Sequence, residues 1–254
     1  MNWLQLIERR RSVRQFESGM DGATIARVTG ICQGEESFNS SLLELRLLPG
    51  AKAKAAVGSF LGFGRVLAPW YIAAIAPADK ASLLNLGYCT QRALLEMTAL
   101  DLGTCWLGHL ANRERYAADL GLEEGLGVRA LVAWGRPRVK SNSLLSGKRV
   151  LPGKLAVFDD NCRDSMPWRA VLEAVRWAPS AINRQPWRLW FTTEAVHLYS
   201  TSKLLARGYT PIEMGIALCH IELACKQLAI PGKIMIADHP LRRGWEYWAS
   251  FVRD

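Results

Sequence analysis

Two stretches of this sequence are dense in groups that could grip an anionic, planar ligand. Arg10-Arg11-Ser12-Val13-Arg14 places three guanidinium forks and a hydroxyl within five residues, and the bidentate geometry of guanidinium suits a phosphate. Taken alone, the run fits a solvated charge cluster at a helix end better. The second stretch, Ala178-Pro179-Ser180-Ala181-Ile182-Asn183-Arg184-Gln185-Pro186-Trp187, joins stiffening prolines to the short polar groups of Ser180 and Asn183. Such groups need partners once buried, and the edge of a heteroaromatic ring would supply them. The bland alternative is a Ser or Asx turn between a helix and a strand. A site using both stretches must be composed from opposite ends of the chain.

Other chemistries leave no mark. The chain lacks Gly-x-Ser-x-Gly, His-Glu-x-x-His and the phosphate-cradling Gly-x-x-x-x-Gly-Lys. Its six cysteines are scattered, with no Cys-x-x-Cys pair and no zinc-type spacing, so no metal site is expected and reduced, core-filling thiols are. His220 falls in an apolar run and reads as a hydrogen-bonded core residue, whereas His109 could cap the substrate side of a bound cofactor.

The elements that must position these residues come in two similar series. Short helices are expected at 21–32 and 167–177, and long apolar helices at 87–103, stopped by Gly103, and at 214–230. Strands are expected at 43–48, 71–75 and 127–134, and again at 189–191, 195–199 and 232–237. The order helix, strand, strand, long helix, strand thus occurs twice, with a loop at 138–160 as the join. This order predicts an internal duplication, with halves 1–150 and 151–254.

With these residues in view, the chain resembles the FMN-dependent nitroreductase superfamily over nearly its whole length. The matching stretches are Arg10 to Phe16, Gly103-Thr104-Cys105-Trp106-Leu107-Gly108, Leu131 to Pro137, and Pro179-Ser180…Asn183…Gln185-Pro186-Trp187. The resemblance implies an α+β fold in which each half has a central antiparallel sheet flanked by helices. It also implies FMN as cofactor and NADH or NADPH as reductant, serving a nitroaromatic, quinone or similar acceptor in a ping-pong cycle. Ordinary members are homodimers, in which one subunit holds the flavin phosphate and the other touches the ring.

Here each half keeps one motif. The first half has Ile31 to Asn39 where the ring motif would stand, and the second has Ala156-Val157-Phe158-Asp159-Asp160-Asn161 where a phosphate motif would stand; two aspartates there would repel the ligand. An intramolecular pseudodimer with one flavin site accounts for both, as in a single-chain subfamily that Glu213 to Leu223 also resembles. By the resemblance, Arg10, Arg11, Ser12 and Arg14 hold the phosphate and ribityl chain, with Lys148 and Arg149 closing over it. Pro179, Ser180, Ala181 and Asn183 line the ring, and the backbone around Trp106, Leu107 and Gly108 approaches flavin N5. Trp106 and Trp187 are expected near the ring. No essential acid–base residue is implied, because the flavin carries the chemistry. A flavin- or nucleotide-binding protein without turnover is the alternative reading.

At 254 residues, half of them hydrophobic and 22% charged, the chain has globular composition. The net charge of +9 is dispersed, without a nucleic-acid motif, and suits an anionic small molecule. No secretory segment and no membrane span are read, so a cytoplasmic protein is expected, and the duplication within one chain implies a monomer.

Overall fold

The structure, a computed structural model, describes residues 1–34, 37–53, 57, 66–108, 113–138, 148–163, 165–201 and 208–254. After a first helix, α1 (Trp3–Arg9), the chain folds as two compact units. One is Arg9–Ser146, the arm unit; the other is Met1–Glu8 with Gly147–Asp254, the loop unit.

The arm unit runs α2 (Gly22–Gln33), β1 (Glu44–Pro49), α3 (Gly50–Ala53), β2 (Trp70–Ala76), α4 (Lys80–Ala99), β3 (Gly103–Leu107), α5 (Arg113–Asp119) and β4 (Gly127–Gly135). Its four strands form an antiparallel sheet in the order β1-β2-β4-β3. Asp79 and Asp21 cap α4 and α2, each carboxylate accepting a backbone N–H from the first turn, which satisfies donors that a helix start leaves open. One face of the sheet packs Tyr71, Ile75, Cys105 and Leu131 against Phe16 and Tyr116.

In the loop unit, α6 (Pro152–Leu155) and β5 (Ala156–Phe158) precede α7 (Met166–Arg176), β6 (Trp187–Phe191), β7 (Ala195–Thr201), α8 (Thr210–Gln227), β8 (Gly232–Met235) and β9 (Trp245–Arg253). The sheet order is β5-β6-β7-β9-β8, antiparallel except for the β5–β6 pair. The Trp3 N–H donates to Gln227 Oε1 at the end of α8 (2.9 Å).

Four strands of the loop unit repeat the arm unit's sheet: β1-β2-β4-β3 and β6-β7-β9-β8 have the same order and sense. Each sheet carries its bulge between the two middle strands, at Ala74/Ile75 and at Leu198/Tyr199. The long helices end alike as well. Leu102 N–H returns to Met97 O and Asp101 N–H to Thr98 O, while Ile230 N–H returns to Cys225 O and Ala229 N–H to Lys226 O. Both ends are Schellman caps built on a left-handed non-glycine residue, Asp101 (φ 57°) and Ala229 (φ 53°).

The expected order of elements therefore needs amendment. Gly103 does not stop α4; Asp101 does, and Gly103 opens a strand. The strand at 127–134 corresponds to β9, which periodicity missed, and β8 corresponds to β3. The segment Ala156 to Asn161, expected where a second phosphate motif would lie, is instead β5 beside β6 and the 3-10 turn after it. Its apolar residues extend that edge, with Phe158 stacked on Phe191 at 4.5 Å. Asp159 accepts the Trp190 indole N–H (2.8 Å) and Asp160 pairs with Arg163.

The cores set one measurable property. Burial pushes the phenols of Tyr116 and Tyr199 up to about 12, against about 10 for an unfolded tyrosine. The unfolded state therefore loses these protons first, and stability falls as pH rises from about 10 through 12. In an alkaline titration of phenolate absorbance, these two of the six tyrosines should ionise late. Tyr116→Phe and Tyr199→Phe should each remove one late component; unchanged late titration in both would refute the assignment.

Candidate functional site

In the arm unit three of the expected stretches come together. The arm, residues 10–16, lies along the outer edge of β3: Ser12 bridges Thr104 in parallel fashion, and the Val13 N–H donates to Thr104 O (2.9 Å). Its far end is clamped by the turn after β4. Phe16 bridges Pro137, Glu17 N–H donates to Arg136 O (2.9 Å) and Arg138 N–H to Gln15 O (3.1 Å). Close approach depends on Gly103, where a Cβ would stand 2.8 Å from the Val13 side chain.

Arg10 is only 3% exposed, Arg11 and Ser12 are half-buried, and Arg14 is exposed. The Arg11 guanidinium donates to Arg10 O (2.8 Å). The Cys105 thiol senses this cluster: burial pushes it up, while the positive charges of Arg14 and Arg10 and the Ser12 hydroxyl oppose the rise. The arm thus brings two positive charges and a hydroxyl to bear on β3 at Cys105, beside the Ser12–Thr104 bridge. Further along, Trp106, Leu107 and Gly108 are half-buried, and the Trp106 indole donates to the buried Gln91 Oε1 on α4 (3.1 Å). His109 lies outside the described residues.

In the loop unit, Pro179 to Pro186 connects α7 to β6 through an unusual backbone. Ile182 (φ 50°), Asn183 (φ 56°) and Gln185 (φ 49°) are all left-handed, which costs roughly 1–2 kcal/mol for each non-glycine residue. Side chains hold this conformation in place. Ser180 Oγ accepts the Gln185 N–H (2.9 Å), the local turn anticipated as the bland alternative. Gln185, 2% exposed, accepts Val150 N–H (2.9 Å) and donates to Lys148 O, Asn183 O and Asn183 Oδ1 (3.2, 3.1 and 3.2 Å). From outside, Glu213 at the start of α8 accepts Ala181 N–H (2.9 Å) and pairs with Arg184. Burial pushes the Glu213 carboxyl up, opposed by Arg184 and by that N–H.

Lys148 and Arg149 stand against the same loop. Lys148 is exposed, and its carbonyl accepts from Asn183 Nδ2 (2.8 Å). The Arg149 guanidinium donates to Ala178 O (2.8 Å), Trp177 O (3.3 Å) and Asn183 Oδ1 (3.3 Å), and it lies 5.5 Å over the Trp177 ring. It caps the C-terminal end of α7, where a cation is favoured, while orienting Asn183. Trp187 is wholly buried and belongs to the core; so is His220, whose Nδ1 is 2.8 Å from Ala174 O.

Sequence reasoning gave no role to Glu213, Arg184 or Gln91. A signal was present for the first: α8 is apolar on nearly every face, so a carboxylate in its first turn needs a buried partner. Among the described residues no group of three or more His, Cys, Asp or Glu side chains is placed to hold a metal ion, and no helix is long and apolar enough to cross a membrane.

Antiparallel sheets flanked by helices, with an arginine–serine arm on a sheet edge, define an α+β protein of nitroreductase-like fold. Residues 2–225 match the family described as "Putative TM nitroreductase"; the chain belongs to that family, which places it among oxidoreductases. No functionally curated protein matches it. It is similar to a solved structure, a "putative nitroreductase" of Thermotoga maritima MSB8, with 22% identity and a TM-score of 0.68 over 100% of this chain and 94% of the other. Nitroreductase family proteins of Clostridium difficile 630 and Streptococcus pneumoniae TIGR4 overlay at a TM-score of 0.50 each and 16% identity. These cover 61% and 60% of this chain but 96% and 97% of their own length. At such identities the likeness establishes a common fold.

Proposed function

We propose that this protein is an FMN-dependent oxidoreductase, moving a hydride equivalent from NADH or NADPH to a nitroaromatic, quinone or similar acceptor in a ping-pong cycle. The observation that carries this reading is the arm, whose Arg10, Ser12 and Arg14 bear together on β3 at Cys105. Its donor chemistry fits the cofactor, since guanidinium forks and a hydroxyl match a phosphate monoester. When bound, FMN supplies two-electron chemistry at its N5.

The protein's residues then have distinct tasks. Arg10, Arg11, Ser12 and Arg14 bind the phosphate and ribityl chain. Pro179, Ser180, Ala181 and Asn183 line the ring, and the half-buried stretch Trp106, Leu107 and Gly108 shields the reacting edge from water. Lys148 adds an exposed cation. Arg149 orients Asn183 and leaves phosphate contact to the arm.

We infer further that the chain is an internal duplication, with halves near 1–150 and 151–254, and acts as a cytoplasmic monomer with one flavin site. The repeated sheet order, the shared bulge and the matching helix caps support this. Titrating purified protein with FMN should give one flavin per chain, and both Arg14→Ala and Asn183→Ala should weaken that single site about tenfold or more, as loss of a charge-assisted or buried hydrogen bond requires. Absence of FMN binding, or two flavins per chain, would overturn the reading.

A further inference from the structure

The loop from Ser180 to Gln185 is gripped from outside by one carboxylate. Glu213 takes the Ala181 N–H with one oxygen and the Arg184 guanidinium with the other, so it holds both sides of the left-handed pair Ile182 and Asn183. Water is kept away: the Glu213 and Arg184 side chains are 3% and 9% exposed. The corresponding place on α4 is Asn85, whose amide donates to Ser37 Oγ (3.1 Å) and Ser41 O (3.4 Å). A neutral amide therefore suffices to tether the equivalent loop of the arm unit. Among the described residues, only the loop unit puts a buried ion pair there, and only its loop contains consecutive left-handed residues.

A buried pair is costly to desolvate and seldom retained for stability alone. Here it fixes a backbone that would otherwise relax toward the right-handed region, turning Ser180 and Asn183 with it. Resting on the assignment of this loop to the flavin ring, we propose that Glu213, acting through Ala181 and Arg184, is the positioning residue of the cofactor loop.

The test compares wild type, Arg14→Ala and the double variant Glu213→Leu with Arg184→Met, the last chosen because apolar replacement of a buried pair commonly preserves folding. FMN affinity is read from quenching of flavin fluorescence, and loop geometry from the visible circular dichroism of flavin at saturating FMN. The double variant should melt near the wild-type temperature, bind FMN about 10- to 100-fold more weakly, as loss of a supporting contact does elsewhere, and show an altered dichroism band. Should it not fold, Glu213→Gln with Arg184→Gln takes its place, with a weaker loss expected because one acceptor for Ala181 survives. Wild-type affinity and an unchanged band in the folded variant would overturn the positioning role while leaving the FMN reading intact. Failure of the wild type itself to bind FMN would overturn both.

Discussion

Replacing Gln185 with alanine is expected to destabilise the loop unit by about 2–5 kcal/mol and to weaken FMN binding at least tenfold. Its amide is buried, accepts Val150 N–H and donates to Lys148 O and to both oxygens of Asn183. Truncation strands several of these groups, and a buried group left without a partner costs roughly 1–3 kcal/mol. No backbone relief offsets this, since alanine is no more at ease than glutamine at φ 49°. Gln185→Glu keeps an acceptor for Val150 but turns its other oxygen toward three carbonyl oxygens, so it should be little better. Urea unfolding with a constant m-value measures the first effect and FMN titration the second. A loss below about 1 kcal/mol would show that the loop is held without this amide.

Gln185 stood in the motif read from the sequence, but nothing local distinguishes a buried anchor from a ligand-facing amide. The same is true of Asn183 and Arg149, whose contacts link residues 28 to 35 positions apart. The arm was legible because its residues are contiguous and its chemistry does not depend on a distant partner. Strands 43–48, 71–75 and 127–134 are legible because short, mostly apolar runs between polar turns, alternating with Glu44 and Arg46 in the first, have few other uses.

What escaped was hidden by local irregularity. Gly103 resembles a helix stop because glycine is the usual left-handed residue; an aspartate takes that role here, and Gly103 instead opens β3, a strand that the sequence reading leaves unassigned. In β9 the burial alternation of Trp245 to Tyr247 breaks at the bulge opposite Leu198 and Tyr199, so no window of constant period covers the strand. The parallel strand β5 has three residues and is defined only by its neighbour β6. Reading its two following aspartates as a spoiled phosphate motif assumed that equal order in sequence means equal place in the sheet. The arm bridges β3, whereas β5 pairs with β6, the counterpart of β1. The structural repeat thus resides in the four shared strands and the helix ends, while the segments at the sheet edges differ.

That difference makes Gly103 the most telling position in the arm unit. Gly103→Ala should lower stability by roughly 1–3 kcal/mol, the usual cost of overpacking, and weaken FMN binding about tenfold or more. The new Cβ would lie 2.8 Å from Val13 Cβ and Cγ2 and 2.9 Å from Cγ1. Val13 has little freedom to yield, because its N–H is bonded to Thr104 O on the strand that Gly103 opens, so the strain passes to Ser12 and Arg14 on either side. Because Val13 Cβ is itself in the clash, Val13→Ala should not relieve it, whereas Val13→Gly should restore most of the lost FMN affinity at some expense of rigidity. Equal affinity in wild type and Gly103→Ala, measured by fluorescence titration, would show that the proposed phosphate-binding geometry does not depend on seating the arm against β3. Recovery with Val13→Ala would show that the γ-methyls alone obstruct the new side chain.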